Sequence, residues 1–141
     1  VYGRTHDRWI PHMGGFLVVM PGVAAFFTLG GLSSLGMPGT AGFVAEFLVF
    51  VGAWEAGHWW WVVGGAVGAV LTAIYVLDAV RRIFWGAGPP APFARLTDMR
   101  GSELVAVWIL GFCLVLFGVF PRIILDLIDV ATPTYLQALT P

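Results

Sequence analysis

Lysine is absent from the 141 residues, and the seven basic side chains are all arginine. With eight acidic residues the formal net charge is −1, which excludes a basic nucleic-acid-binding surface. Cysteine occurs once, as Cys113 inside an apolar run, so neither an internal disulfide nor a cysteine-based metal site can form. One such residue says nothing of redox compartment. There is no phosphate loop, no metal-ligand cluster, no nucleophile beside a base, no internal repeat and no low-complexity tract. Charge of either sign is scarce. Only 11% of residues are charged, 59% are hydrophobic and the mean hydropathy is +0.89, which describes an integral-membrane chain rather than a soluble domain. The chain opens at Val1 on polar residues, not on a methionine and a basic segment. No signal peptide is expected, and the sequence reads as a piece of something longer.

What is present falls into blocks. Residues 1–12, "VYGRTHDRWIPH", are a polar lead-in. Residues 13–54 are apolar, interrupted by Pro21, by positions 36–42 and by Glu46. After the link Glu55–His58, a charge-free run starts at Trp59 and stops at Asp78, Arg81 and Arg82, which places a span over 59–82. Residues 83–103 form a loop, since Pro89, Pro90, Pro92 and several charges prevent a buried helix. A third apolar run, closed by Pro121, places a span over 104–124, and a mostly amphipathic tail occupies 125–141. A membrane-crossing helix needs about 20 apolar residues, which the second and third runs supply.

The first run is ambiguous: too long for one unbroken span, with a second half, Ala41–Trp54, that is short for a span of its own. As one discontinuous span it puts Arg4, Arg8, Arg81, Arg82, Arg95 and Arg100 on one side, with Arg122 alone opposite. As two spans it splits the arginines three against four. The positive-inside rule prefers the first arrangement. The fold class is therefore all-α and multi-pass, with three spans, the first discontinuous at Pro38–Gly39, the lead-in and loop cytoplasmic and the tail outside. Trp54, Trp59, Trp60 and Trp61 then mark the outer interface, and Trp9 and Trp85 the inner one. Gly64, Gly68 and Thr72 form a small-residue stripe that lets another helix approach closely.

Within "LGMPGTAGFVAEF" (35–47) a helix break and a carboxyl lie close together. Freed backbone groups in hydrocarbon cost several kcal/mol each unless protein or water satisfies them. A carboxyl at the bilayer centre costs roughly 2.5–3.5 kcal/mol on insertion scales. Together they suggest a shared purpose: unwound backbone admits water, and water lets Glu46 exchange a proton. Gly42, four residues earlier on the same face, leaves space beside the carboxyl. The plainer alternative is a surface loop with Glu46 solvated. Ser33, Ser34 and Thr40 flank the break, where hydroxyls satisfy freed backbone groups or hold water. His12 reads as a surface histidine or, alternatively, as a member of a proton path; His6 reads as solvated or paired with Asp7, and His58 as interfacial. Thr72 and Tyr75 either line a hydrated path or pack between helices. Asp78 and Arg82 are spaced for a helix-end ion pair.

"LSSLGMPGTAGFVAEFLVFVGAW" (32–54) resembles the signature of the antiporter-like membrane subunits of respiratory complex I, above all the M type. "YGRTHDR…MGG" (2–15), "YVLDAVRRIFWG" (75–86) and "GVFPRIILD" (118–126) resemble the lead into the family's twelfth helix and the ends of its thirteenth and fourteenth. The resemblance implies a twelfth helix broken near mid-membrane with a proton-transferring residue just after the break. That residue is lysine in the L and N types and glutamate in the M type, the place held here by Glu46. The family's other proton-path residues, lysines among them, lie on earlier helices, so the chain would be the C-terminal portion of such a subunit.

The resemblance further implies a proton-translocating subunit of NADH:quinone oxidoreductase in a bacterial plasma membrane. Other membrane-arm subunits and the lipid bilayer would be its partners, with no nucleic acid. No cofactor is expected on this chain; NADH, FMN, iron–sulfur clusters and quinone belong to other subunits. A multi-subunit cation/proton antiporter, a membrane-bound hydrogenase arm and a structural scaffold with a dead proton path remain alternatives.

Overall fold

The computed structural model describes residues 1–128. A short turn of helix, α1 (Tyr2–Thr5), opens the lead-in, followed by a 3-10 turn at Ile10–His12. The main helices are α2 (Pro21–Ser34), α3 (Ala41–Glu55), α4 (Trp59–Phe84) and α5 (Ser102–Val119), with residues 122–128 helical again. No strand occurs among the described residues. At 1.5 Å per residue α4 is about 39 Å long and α5 about 27 Å. Both are long and apolar enough to cross a membrane, with mean hydropathies of 1.9 and 2.2. α2 and α3, of 14 and 15 residues, are each too short to do so alone.

Side-chain pairings settle how the two short helices run. The Phe27 ring lies 5.2 Å from that of Phe84, Val76 fills the space beside Gly31, and Phe50 fills the space beside Gly65. As the chain advances from 27 to 50, its partner on α4 retreats from 84 to 65. α2 and α3 therefore make one interrupted traverse antiparallel to α4, and the break falls opposite the middle of α4, near Thr72. α5 runs parallel to them: Phe26 stacks edge-on against Trp108 at 5.3 Å, and Gly118 packs on the backbone of Gly39 and Thr40. The third span was expected over 104–124, its apolar run closed by Pro121. It stops at Val119, level with the break, because Pro121 has no N–H to carry the ladder on. Its continuation, with Pro121, Ile124 and Leu125, follows α3 along Ala41, Val44 and Leu48. Positions 129–141 of the expected tail lie outside the described residues.

α2 starts at Pro21, well after the expected boundary at Met13. Proline suits the first turn of a helix, where its missing N–H is not needed. The preceding residues instead form a turn over 16–19 docked on the end of α4: the N–H groups of Gly15, Phe16 and Leu17 donate to the carbonyls of Trp85, Ile83 and Phe84 at 3.2, 3.3 and 3.0 Å. These are carbonyls at the end of α4 that the helix itself cannot satisfy. The buried core, Phe16, Met20, Val23, Ala24, Val80, Ile83 and Phe84, sits at this end. Arg4 pairs with Glu103 here, and Asp78 holds Arg82 at 2.6 Å and Arg81 at 3.2 Å, the expected helix-end ion pair. On α4 the face toward α2 and α3 carries Gly65, Ala69, Thr72 and Val76, whereas Gly64 and Gly68 are exposed beside open space. Of the small-residue stripe, Gly64 and Gly68 thus point away from the chain's own helices, whereas Thr72 does not.

Asp98, in the loop, caps α2 from 75 residues away. Its carboxylate accepts the N–H groups of Gly22 at 2.7 Å and Val23 at 3.1 Å, and its own neighbour Met99 at 2.8 Å. Burial works against its ionisation, but the Gly22, Met99 and Val23 donors and the Arg4 charge outweigh it and hold the pKa below the usual carboxylate value. Removing these acceptors by Asp98→Ala should cost about 1 kcal/mol, as loss of a helix N-cap does. Because the folded pKa is depressed, this contribution is full above the ordinary carboxylate pKa. It fades as pH falls through the lower folded value. Thermal unfolding of wild type and variant in detergent, compared at neutral pH and near pH 3, should show the two curves converging in acid.

Candidate functional site

The break is built from two standard turns in series. α2 closes with a Schellman motif: Met37 N–H reaches the Leu32 carbonyl at 3.1 Å, and Gly36 N–H reaches Ser33 at 3.1 Å. Gly36 supplies the left-handed residue, φ 68°. A four-residue turn follows, with Pro38 second and Gly39 third at φ 90°, closed by Thr40 N–H to the Met37 carbonyl at 3.1 Å. That is the chemistry of a type II turn. The Thr40 hydroxyl also donates to Met37, at 2.7 Å, so this buried threonine ties the turn together rather than capping α3. Protein groups thus meet the carbonyls of Leu32, Ser33 and Met37, while Met37, Pro38 and Gly39 present the exposed side of the break.

α3 then carries Gly42, Glu46 and Phe50 on one row, four residues apart. Gly42 meets the Ser33 carbonyl, Glu46 meets Gly36, and Phe50 meets Gly65 of α4. The space expected beside the carboxyl at Gly42 is therefore filled by the end of α2. The Glu46 side chain turns back toward the break, and its Oε2 crowds the place where a side chain on Gly36 would begin. The carboxyl is half-buried. No basic group forms an ion pair with it among the described residues.

Pro38, Gly39, Thr40, Gly42 and Ser33 are gathered here with Glu46. Ser34 is exposed and its hydroxyl bonds back to the Gly30 carbonyl at 3.1 Å. Thr72 lies level with the break but bonds the Gly68 carbonyl of its own helix at 2.9 Å. Tyr75 is exposed along an apolar groove of about 420 Å³ with Phe26, Phe27 and Gly31. His12 is remote, in the lead-in, where its Nδ1 lies 2.8 Å from Asp7 Oδ2. Asp7 thus pairs with His12, and His6 instead turns its ring edge to Tyr2. Among the described residues no cluster of His, Cys, Asp or Glu could hold a metal ion. Two residues escaped the sequence reading. Gly36 carried a usable signal, a glycine directly after a helical run; Asp98 carried none, because its partner is remote in sequence.

Comparison with known proteins gives one consistent answer. The family described as the NADH:quinone oxidoreductase/Mrp antiporter transmembrane region matches residues 1–72, which contain the whole break and Glu46. NAD(P)H-quinone oxidoreductase chain 4 of Synechococcus sp. (strain JA-3-3Ab) is 35% identical over 142 residues, covering 93% of this chain and 26% of that protein. NADH-quinone oxidoreductase subunit M of Rhodobacter capsulatus is 33% identical over 128 residues, covering 91% and 25%. A chain of respiratory complex I from Thermus thermophilus, solved with bound NADH, superposes with a TM-score of 0.77 at 32% identity, over 85% of this chain and 25% of that one. The chain spans about a quarter of the length of these relatives. By the family match and by the broken helix inside it, this chain belongs to the NADH:quinone oxidoreductase/Mrp antiporter transmembrane family.

Proposed function

We propose that this chain is part of a chain 4/subunit M-type protein that translocates protons in the membrane arm of NADH:quinone oxidoreductase, with Glu46 as the proton carrier. The observation that carries the reading is the position of that carboxyl. It sits at the seam of an interrupted traverse, opposite the middle of a 26-residue apolar helix, and not at the level of the interfacial tryptophans. Six arginines mark the cytoplasmic end, so α3 leads from the break to the outer face at Glu55. Glu46 binds a proton arriving at the break, becomes a neutral carboxylic acid, and releases that proton outward along α3. Met37, Pro38 and Gly39 present the side from which a hydrated path reaches it. No electron passes through this chain; flavin, iron–sulfur clusters and quinone sit on partner subunits, in a bacterial plasma membrane.

The family description also covers Mrp antiporters, which favours a second reading as a cation/proton antiporter subunit. Purification of the tagged full-length protein from mild detergent separates the two. Flavin and iron–sulfur absorbance in the same fraction is expected; their absence alongside other antiporter-type subunits would move the assignment to ion exchange.

A further inference from the structure

We propose that Gly36 is a positioning residue: the left-handed glycine that ends α2 is the seat that holds the Glu46 carboxyl at the break. This rests on the reading of Glu46 as proton carrier and adds the group that fixes where the carboxyl stands. Two separate constraints meet at Gly36. Its φ of 68° favours glycine, but asparagine also serves such helix ends. The second constraint is particular to this site: Glu46 Oε2 stands too close to the position of any Cβ there, with Cδ 3.3 Å away. Other left-handed glycines lack it. Gly39, Gly57, Gly88 and Gly101 have open space, and the neighbour of Gly15 is the backbone of Gly88. Only at Gly36, among the described left-handed glycines, does an ionisable side chain fill the vacancy.

The seat has a chemical consequence. Glu46 has three rotatable bonds and would otherwise sample the α3 surface, spreading its proton over several positions. Packed on Gly36, with Gly42 held against Ser33 one turn earlier, the carboxyl is held at the end of α2. Proton transfer is steep in distance, and a misplacement of about 1 Å can cost 100-fold in rate. With a methyl group on Gly36, the carboxyl returns to ordinary contact only through a displacement of about that size.

The test uses the intact complex in proteoliposomes, with NADH-driven proton translocation and the infrared carboxyl stretch as readouts. The Glu46 band is assigned as the one lost in Glu46→Gln. Gly36→Ala should lower translocation roughly 10- to 100-fold and shift that band. Gly57→Ala, at φ 76° in open space, controls for backbone strain and should do neither. In a Glu46→Asp background, where the carboxyl is withdrawn by one methylene, Gly36→Ala should carry no further loss. Equal losses in both backgrounds, or an unmoved band in Gly36→Ala, would overturn the seat. Should Gly36→Ala alone fail to assemble, recovery of assembly in the Asp background supports the seat and continued failure overturns it. Glu46→Gln with normal translocation sinks the carrier reading instead, and a shifted band in Gly36→Ala would then leave the seat standing as a structural feature.

Discussion

Glu46→Gln in the intact complex should lose nearly all NADH-driven proton translocation, with quinone reduction coupled to it falling in parallel. The amide is isosteric with the acid, so it keeps the contact with Gly36 and the packing of α3 on α2. What it removes is the exchangeable proton. A positioned acid–base group is typically worth 10²–10⁴-fold, and roughly that loss is expected in the transfer step through this subunit. Thermal stability should not change. Acidification of the proteoliposome lumen, followed with a trapped pH dye, gives the measurement, with quinone reductase turnover recorded on the same preparation. Glu46→Asp should fall between, since it keeps the proton but stops short of the seat. Full pumping by Glu46→Gln would exclude Glu46 as carrier and favour the scaffold reading.

The broken traverse was legible because its signals are local. A Pro-Gly pair inside an apolar run cannot continue a helix, and seven arginines count the crossings on either side of it. The α4 span was legible for the same reason: its apolar run ends where Asp78, Arg81 and Arg82 begin. Other features depend on groups far apart in the chain. Asp98 caps a helix that starts at Pro21, and Gly15–Leu17 satisfy carbonyls near residue 84; no window of sequence contains both partners. The turn that precedes α2 goes with the second of these, since it is docked on the end of α4 before the helix proper starts at Pro21. The seat at Gly36 was hidden differently. The glycine and Glu46 lie ten residues apart in one recognised motif, but only the fold of the two turns between them brings the carboxyl back.

Gly42→Ala should destabilise the protein more than any other single methyl addition within α3. A Cβ on Gly42 would overlap the Ser33 carbonyl oxygen and lie 2.9 Å from the carbonyl carbon and 3.1 Å from the Ser33 hydroxyl. Those first two neighbours are backbone, so no side chain can rotate out of the way. The Ser33 carbonyl is also the acceptor for Gly36 N–H in the cap that ends α2. Pushing it aside separates α2 from α3, weakens the cap and moves the seat of Glu46 in one step. Overpacking costs typically 1–3 kcal/mol, and a disturbed hydrogen bond adds about 1 kcal/mol. Gly52→Ala, ten residues along the same helix, has open space around it and should instead gain roughly 0.5–1 kcal/mol from helix propensity. The two alanines therefore carry opposite signs, readable as a lowered and a raised melting temperature of the detergent-solubilised protein. Propensity alone would make both stabilising. Only the close meeting of α2 and α3 at the break reverses the sign at position 42, so a Gly42→Ala protein that melts no lower than wild type would remove the contact on which the break geometry stands.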